Sequence, residues 1–248
     1  MNRASAEPFV AGADGCPAGW IAVYHPVDRP ADARWEIFAT FAELCAFTED
    51  FAAVAIDMPI GLPDIATPGG RDADRRARSV LGARQSSVFA VPARATIACT
   101  DYRDACDTNL EHSQPPRKIA KQMFYLFAKI REIDAVISPA LQDRIIECHP
   151  EVAFWALNGA VALGEPKKVK SKPYAPGLDL RRKLLANHGY RAQLLAGPDC
   201  PRRLAAPDDL LDACATAWTA NRHATGLSQR FPDAPQYDGR GLRMEMVY

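Results

Sequence analysis

The sequence lacks an excess of charge of either sign, since 30 lysines and arginines balance 30 aspartates and glutamates. Overall neutrality gives no general attraction to nucleic acid, so evidence for such a partner has to come from a local site. The sequence also has no apolar run near the roughly 20 residues that span a membrane, and no internal repeat. We therefore expect neither a membrane partner nor a repeat architecture.

The sequence also lacks cysteine motifs: none of its seven cysteines forms a Cys-x-x-Cys pair or a zinc-finger spacing. Several stand in apolar runs, where a reduced cysteine behaves as a small hydrophobic residue. Residues 1–8 are polar and lack the hydrophobic region of a signal peptide. These features predict a cytoplasmic protein with reduced thiols.

Apolar segments in the first 60 residues predict a sheet. Strands are expected at residues 9–13, 20–24, 34–40 and 52–56, with a helix at residues 41–47. The last strand is continuously apolar, as expected for a strand covered on both faces. Because 48% of the 248 residues are hydrophobic, the chain can bury a substantial core. The pattern predicts an α/β protein.

The rest of the chain is predicted to be largely helical. Residues 61–140 are expected to form a helical insertion, with helices at 71–84 and 119–133. A strand at 144–147 then resumes the sheet. The remaining expected elements are helices at 150–157, 179–188 and 208–224, a loop at 232–241 and an edge strand at 242–248. We expect a single domain over residues 1–248, with its core at about 9–60 and 141–248.

Two aspartates stand where predicted strands end. Asp14 follows the first strand in a glycine-flanked turn, and Asp57 directly follows the buried fourth strand. Ligand sites of open sheets lie at the carboxyl ends of parallel strands, so both acids are expected at one edge. The alternatives are a turn aspartate for Asp14 and a helix cap or loop acid for Asp57. An unpartnered carboxylate directly after a buried strand is costly, but for Asp57 alone both interpretations stay open.

Further acids occur on two later elements. Glu147 ends the strand before His149, and Asp209 and Asp212 lie on one face of the last helix. Capping explains Asp209 fairly well and Asp212 less well, with a solvated polar face as the alternative. The candidate catalytic residues are Asp14, Asp57, Glu147 and Asp212, and the candidate metal ligands are these four with Asp209. Clustered carboxylates need cations, so we expect two Mg²⁺ or Mn²⁺ ions.

Several short motifs lie one after another along nearly the whole chain. They are residues 12–16 (Gly-Ala-Asp-Gly-Cys), 19–23 (Gly-Trp-Ile-Ala-Val), 56–62 (Ile-Asp-Met-Pro-Ile-Gly-Leu), Arg75 with 81–89 (Leu-Gly-Ala-Arg-Gln-Ser-Ser-Val-Phe), 147–152 (Glu-Cys-His-Pro-Glu-Val), 154–159 (Phe-Trp-Ala-Leu-Asn-Gly), 209–213 (Asp-Leu-Leu-Asp-Ala) and 241–245 (Gly-Leu-Arg-Met-Glu). In these motifs the chain resembles a DUF-type family of predicted nucleases with an RNase H-like fold, distantly similar to Holliday-junction resolvases.

The resemblance implies an RNase H-like mixed five-stranded sheet of order 3-2-1-4-5, flanked by helices, with a helical insertion between strands four and five. In that superfamily, acids at the ends of strands one and four and in the last helix are metal ligands, which Asp14, Asp57 and Asp212 match. Resolvase relatives carry a His or Asp one turn before the last acid, matched by Asp209. Some relatives carry an acid on strand five, matched by Glu147.

Basic and polar side chains elsewhere are candidates for substrate contacts. The candidates are Arg84, Ser86, Ser87 and Arg94 in the insertion, His149 after the fifth strand, and Lys167 and Lys168 in a lysine-rich loop. His149 is also a candidate to relay a proton or to orient Glu147. The alternatives are a salt-bridged helix surface for the arginines, a solvated loop for the lysines and packing for His149.

Three functions remain open. The first is metal-dependent phosphodiester hydrolysis of DNA or RNA, in which the acids hold the metal ions. The second is another phosphate enzyme, such as a nucleotide phosphohydrolase or phosphotransferase. The third is a non-catalytic module that binds nucleic acid or protein on the same fold. Nucleic acid is the expected partner, and the oligomeric state stays open, with a homodimer as one option.

Overall fold

Five strands form one mixed sheet of order β3-β2-β1-β4-β5 in a computed structural model, which describes residues 7–170 and 172–248. The strands are β1 (Phe9–Cys16), β2 (Gly19–Pro26), β3 (Arg34–Phe38), β4 (Ala53–Ile56) and β5 (Ile145–Glu147). Strands β1, β2 and β3 pair antiparallel, whereas β4 pairs parallel to both β1 and β5. The predicted α/β class and strand order are confirmed.

The expected absence of a signal peptide concerns mainly residues 1–6, which lie outside the described residues.

The first hairpin is longer than predicted. Strand β1 continues through Asp14 to Cys16, and Asp14 is paired with Ile21 of β2. The tight turn therefore falls at residues 17 and 18 instead of at Asp14 and Gly15. The prediction that Asp14 lies in a turn is wrong, because cross-strand pairing carries the strand past the glycine.

Helices cover both faces of the sheet. They are α1 (Phe41–Phe47), α2 (Asp72–Val80), α3 (Arg94–Ile97), α4 (Tyr102–Glu111), α5 (Lys121–Phe124), α6 (Phe127–Asp134), α7 (Pro150–Leu157), α8 (Ala175–Asn187), α9 (Ala192–Leu195) and α10 (Pro207–Ala224), with 3₁₀ turns at Pro30–Asp32, Gly82–Ser87 and Leu141–Asp143. Helices α2 to α6 lie between β4 and β5 in the chain, where an insertion was predicted; its exact bounds stay a prediction. The predicted single helix at 119–133 is two shorter ones.

Helix α10 packs closely against β1 because Gly12 lacks a side chain. A Cβ added to Gly12 would lie 1.9 Å from the backbone nitrogen of Ala217. Buried residues of β2 and α10, including Ile21 and Leu211, form the core on this face. On the other face, Ile56 packs with the insertion residue Phe127. The close approach at Gly12 sets how near the first turn of α10 comes to the end of β1.

The C-terminal residues form a second, two-stranded sheet of β8 (Arg230–Tyr237) and β9 (Arg243–Val247). The predicted loop at 232–241 is therefore wrong for residues 232–237. The pairing is irregular between Phe231 and Gln236, because the prolines within β8 interrupt its hydrogen bonding.

A small hairpin, β6 (Lys168–Val169) and β7 (Lys172–Pro173), lies in the lysine-rich loop. Among the described helices, none combines the length and apolarity needed to cross a membrane.

Candidate carboxylate site

Asp14 and Asp57 are neighbours at the carboxyl edge of the parallel part of the sheet. The register pairs Ala13 with Ile56, and the backbone nitrogen of Asp57 donates to the oxygen of Ala13 at 2.9 Å. The next position on each strand is therefore Asp14 beside Asp57. Since paired positions project to the same face, both carboxylates point towards the face that α10 covers.

Helix α10 adds a third carboxylate from above that face. Asp212 is 1% exposed, and its first-turn neighbour Asp209 accepts a hydrogen bond from the backbone nitrogen of Ala206 at 2.8 Å. Asp209 thus caps the helix, as one alternative for it predicted. The charges of Asp212 and Asp209 both act on Asp14. The structure therefore brings together Asp14, Asp57 and Asp212, with Asp209 beside them.

Burial and mutual repulsion make these acids hard to ionise. Burial raises the pKa of Asp14 well above its ordinary value, and the charges of Asp57 and Asp212 raise it further. Burial also raises the pKa of Asp57 and raises the pKa of Asp212 to about 7. A cation placed among these three carboxylates would stabilise their ionised forms.

Lysines from the β6–β7 loop supply positive charge to the site. The Lys167 ammonium donates to Oδ2 of Asp212, and Nζ of Lys168 lies 2.6 Å from Oδ2 of the buried Asp208. Burial lowers the pKa of Lys167, but the carboxylates of Asp212 and Asp14 raise it above its ordinary value overall. Both lysines, predicted to contact substrate, are thus engaged with acids of α10. Their role towards a substrate stays a prediction.

Glu147 faces the opposite side of the sheet from Asp14 and Asp57. It is paired with Ile56, one position before Asp57, so the pleat turns its side chain away from the other acids. Its Oε2 accepts from Nη1 of Arg71 at 2.7 Å and from the nitrogen of Ile60 at 2.6 Å. Arg71 also pairs with Asp74 at 2.8 Å, and all three side chains are at most 3% exposed. The structure does not bring Glu147 together with the other three acids, and its predicted metal-ligand role stays a prediction.

The remaining candidates occupy different surroundings. Nδ1 of His149 accepts from the nitrogen of Glu151 at 3.2 Å, and its Nε2 lies 3.3 Å from the oxygen of Ser87. Nδ1 of His149 thus caps α7, and Nε2 joins the start of this helix to the Gly82–Ser87 turn. Arg94 pairs with Asp134 at 2.5 Å and with Asp238. Arg84 and Ser86 share the 3₁₀ turn Gly82–Ser87, which reaches the site through Ser87.

Sequence reasoning missed three residues at the site. Arg71 carries the buried ion-pair network, and Lys129 of α6 lies over the Trp20 ring at 4.6 Å from its centroid. Glu151 is 5% exposed, and its Oε1 accepts from the fully buried Arg181 at 2.5 Å. Arg71 and Lys129 are single charged residues in stretches with other charges, which carry no distinctive pattern. The available signals were the Arg-x-x-Asp spacing of Arg71 and Asp74 and the place of Glu151 in the motif at residues 147–152.

A cavity of about 370 Å³ lies across this edge of the sheet. Its described lining includes five carboxylates, Asp14, Asp57, Asp74, Glu147 and Glu151, and three basic side chains, Arg71, Lys129 and Lys167. Acids outnumber bases, so an anionic ligand is repelled unless further positive charge is present. Apolar residues form another part of the wall.

The donor chemistry of the site fits a hard divalent cation. Asp14, Asp57 and Asp212 offer oxygen ligands, which suit Mg²⁺ or Mn²⁺, and Oδ1 of Asp212 is buried without a hydrogen-bond partner. Within residues 7–170 and 172–248, however, no three His, Cys, Asp or Glu side chains are gathered closely enough to hold a metal ion. The Lys167 ammonium provides the positive charge in this arrangement.

Fold and site together define an α/β protein with buried carboxylates at one edge of a mixed sheet. The chain belongs to the family described as protein of unknown function DUF429, whose model matches residues 12–237. The match includes Asp14, Asp57, Glu147 and Asp212. No curated protein and no solved structure matches the chain.

Proposed function

We propose that this protein is a metal-dependent nuclease with an RNase H-like fold, which hydrolyses phosphodiester bonds of DNA or RNA. One observation carries the proposal: Asp14 and Asp57 stand side by side on parallel strands, under Asp212 of α10. Three separate elements bring carboxylates to one place, although burial there raises their pKa values and makes them harder to ionise. Such an arrangement is typical of a functional site and has little value for stability.

Asp14, Asp57 and Asp212 are the residues that would hold Mg²⁺ or Mn²⁺. When bound, two such ions activate a water molecule and stabilise the leaving oxygen of a phosphodiester. The excess of acids in the cavity then no longer repels the substrate phosphate. In this proposal the Arg71 network positions β5 and the insertion against each other, whereas Lys167 gives up Asp212 when a metal ion binds.

The proposal is tested with fluorescent single-stranded and duplex DNA and RNA oligonucleotides in Mg²⁺ or Mn²⁺. We expect cleavage by the wild-type protein, loss of cleavage in EDTA and loss in the Asp14→Asn variant. Asp50→Asn, a change at an exposed acid outside the site, is the matched control and should cleave normally. Cleavage that survives both EDTA and Asp14→Asn contradicts the proposal.

A second candidate function, a nucleotide phosphohydrolase, is favoured by the size of the cavity. A volume of about 370 Å³ is at the lower end of the range of sites for small ligands. Phosphate release from nucleoside mono- and triphosphates, measured beside oligonucleotide cleavage, separates the two enzymes. Nucleic-acid binding without turnover, unchanged by Asp14→Asn, would instead favour a non-catalytic module.

We further infer a cytoplasmic location and a nucleic-acid partner. All seven cysteines are unpaired thiols, which supports a reducing compartment. A homodimer stays a prediction, which sedimentation of the purified protein would measure directly.

A further inference from the structure

The cavity beside the carboxylates has an apolar wall that phosphate chemistry does not require. This wall, here called the apolar wall, consists of Met58, Val88, Phe89, Met123, Tyr125 and Leu126. Its residues come from the segment after β4, the segment after the Gly82–Ser87 turn, and α5 with the turn that joins it to α6. Phosphate groups are bound by cations and by polar donors. A wall of aromatic, thioether and aliphatic groups needs a different occupant.

Tyr125 is the feature of the wall that points to a flat ligand. It is 66% exposed although it lines the cavity, so its ring stands at the cavity mouth. Phe89 is half-buried within the wall, and Met58 and Met123 are buried beside it. Aromatic rings bind nucleobases by stacking, and methionine sulfur packs favourably against aromatic rings. The lining therefore suits the π-face of a ring system.

Volume and charge restrict the ligand further. About 370 Å³ accommodates one ring system with its sugar and is too small for a duplex. Each basic side chain of the lining already has a protein partner: Arg71 binds Asp74 and Glu147, Lys129 donates to the oxygen of Gly19, and Lys167 donates to Asp212. Affinity for a nucleotide must then come largely from its base.

We propose that the cavity binds a single nucleobase, stacked near Tyr125 against the apolar wall. The part of the proposal that directs the attached phosphate towards Asp14 and Asp57 rests on the proposed function, whereas base binding does not. The base comes either from a free nucleotide or from an unstacked position of a nucleic-acid strand. Both sources present the same ring to the same wall.

The test is the binding of adenosine and uridine, without metal ions, measured by saturation-transfer NMR and calorimetry, with ribose as the baseless control. We expect at least one nucleoside to bind and ribose not to bind. Tyr125→Ala should weaken nucleoside binding about 5-fold or more, and Tyr125→Trp should restore it. Tyr237→Ala removes an equally exposed tyrosine, 64% exposed, that does not line the cavity, and should leave binding unchanged. Thermal unfolding establishes that each variant is folded.

Two results overturn the nucleobase proposal: neither nucleoside binds, or Tyr125→Ala binds as tightly as the wild-type protein. Cleavage of oligonucleotides at undiminished rate when the scissile phosphate is flanked by abasic sites overturns only the part that directs the phosphate of a bound base towards Asp14 and Asp57, while leaving the proposed nuclease intact. Conversely, nucleoside binding without any hydrolysis removes the nuclease and keeps the pocket. Tighter binding of adenosine or uridine monophosphate than of a single-stranded oligonucleotide identifies free nucleotides as the source, and the reverse identifies a strand.

Discussion

The Asp14 carboxyl is 9% exposed and lies beside two further carboxylates, so its ionisation opposes folding. Burial raises the pKa of Asp14 above its unfolded value, which means that the folded state binds the proton more tightly. The stability that this proton confers is fully present below about pH 4 and is lost as the pH rises. The pKa of Asp212, raised to about 7, extends the same loss towards neutral pH.

The Asp14→Asn variant should therefore be more stable than the wild-type protein in EDTA at pH 8. We expect a gain of about 1–3 kcal/mol and a flatter dependence of stability on pH between 4 and 8. Urea unfolding at several pH values measures both. Asp50→Asn is the control and should follow the wild type. A wild-type protein whose stability in EDTA rises steadily from pH 4 to pH 8 would contradict the raised pKa values.

Replacing Lys167 tests whether this lysine contacts a substrate or serves as an internal cation that pairs with Asp212. Its ammonium pairs with Asp212, so Lys167→Gln should lower stability in EDTA by about 1–3 kcal/mol, because a buried carboxylate loses its partner. It should also tighten Mn²⁺ binding, since no tethered cation competes for Asp212. Calorimetric titration with Mn²⁺ measures the second effect.

The control for Lys167 is Lys170→Gln, a change at an exposed lysine of the same loop, which should leave both quantities unchanged. Weaker Mn²⁺ binding in Lys167→Gln would mean that the lysine assists the metal site, against the competition proposed here.

At the residue scale, the sequence identified the three converging acids, because strand ends and the helix start mark them. It could not foresee the Lys167 pairing, because nothing in a lysine-rich loop specifies which acid it meets.

At the scale of elements, the contact between β1 and α10 positions Asp212 over Asp14. Gly12→Ala would place a methyl group against the backbone of Ala217. We expect a loss of about 1–3 kcal/mol from overpacking and weaker Mn²⁺ binding, because α10 moves away from β1. Gly164→Ala is the matched control, since no atom lies within 4 Å of its added Cβ. Unchanged stability and Mn²⁺ affinity in Gly12→Ala would show that the close approach is unimportant.

The elements that sequence patterns predicted are those with a clear apolar period. Helices α1 and α7 were predicted within their observed bounds, and the continuous apolar run gave β4 to within one residue. Strand β8 was missed because its two prolines hide the alternation. Helix α4 was missed because most of its residues are polar. The sequence did not show that Glu147 faces the other side of the sheet from Asp14 and Asp57, because the face of a three-residue strand depends on register, which pattern alone does not give.

At the scale of the whole molecule, Arg71 joins the insertion to the sheet. It binds Asp74 of α2 and Glu147 of β5, and its Nη1 donates to the oxygen of Ile60 at 2.8 Å. Burial lowers the pKa of Arg71, but the two carboxylates raise it overall, so the guanidinium stays charged. The network lines the same cavity as Asp14 and Asp57, so it sets the shape of the site from its far side.

Arg71→Met should destabilise the protein by about 3–5 kcal/mol, because two buried carboxylates are left without their partner. The loss should be smaller at pH 5 than at pH 8, since the Glu147 carboxyl, whose pKa burial raises to about 7, can then take up a proton. Urea unfolding at the two pH values measures this difference. Arg76→Met, at an exposed arginine of α2, is the control. A loss of stability in Arg71→Met that is equal at both pH values would contradict the assignment of ionised carboxylates as the partners of Arg71.

The central claim is that Asp14, Asp57 and Asp212 form a divalent-cation site, and anomalous X-ray diffraction from crystals grown with Mn²⁺ tests it most directly. We expect one or two anomalous peaks bridged by Asp14 and Asp57, with Asp212 as a further ligand and the Lys167 ammonium withdrawn from it. An anomalous map without a peak among these carboxylates, with Lys167 still paired to Asp212 at saturating Mn²⁺, would contradict the claim.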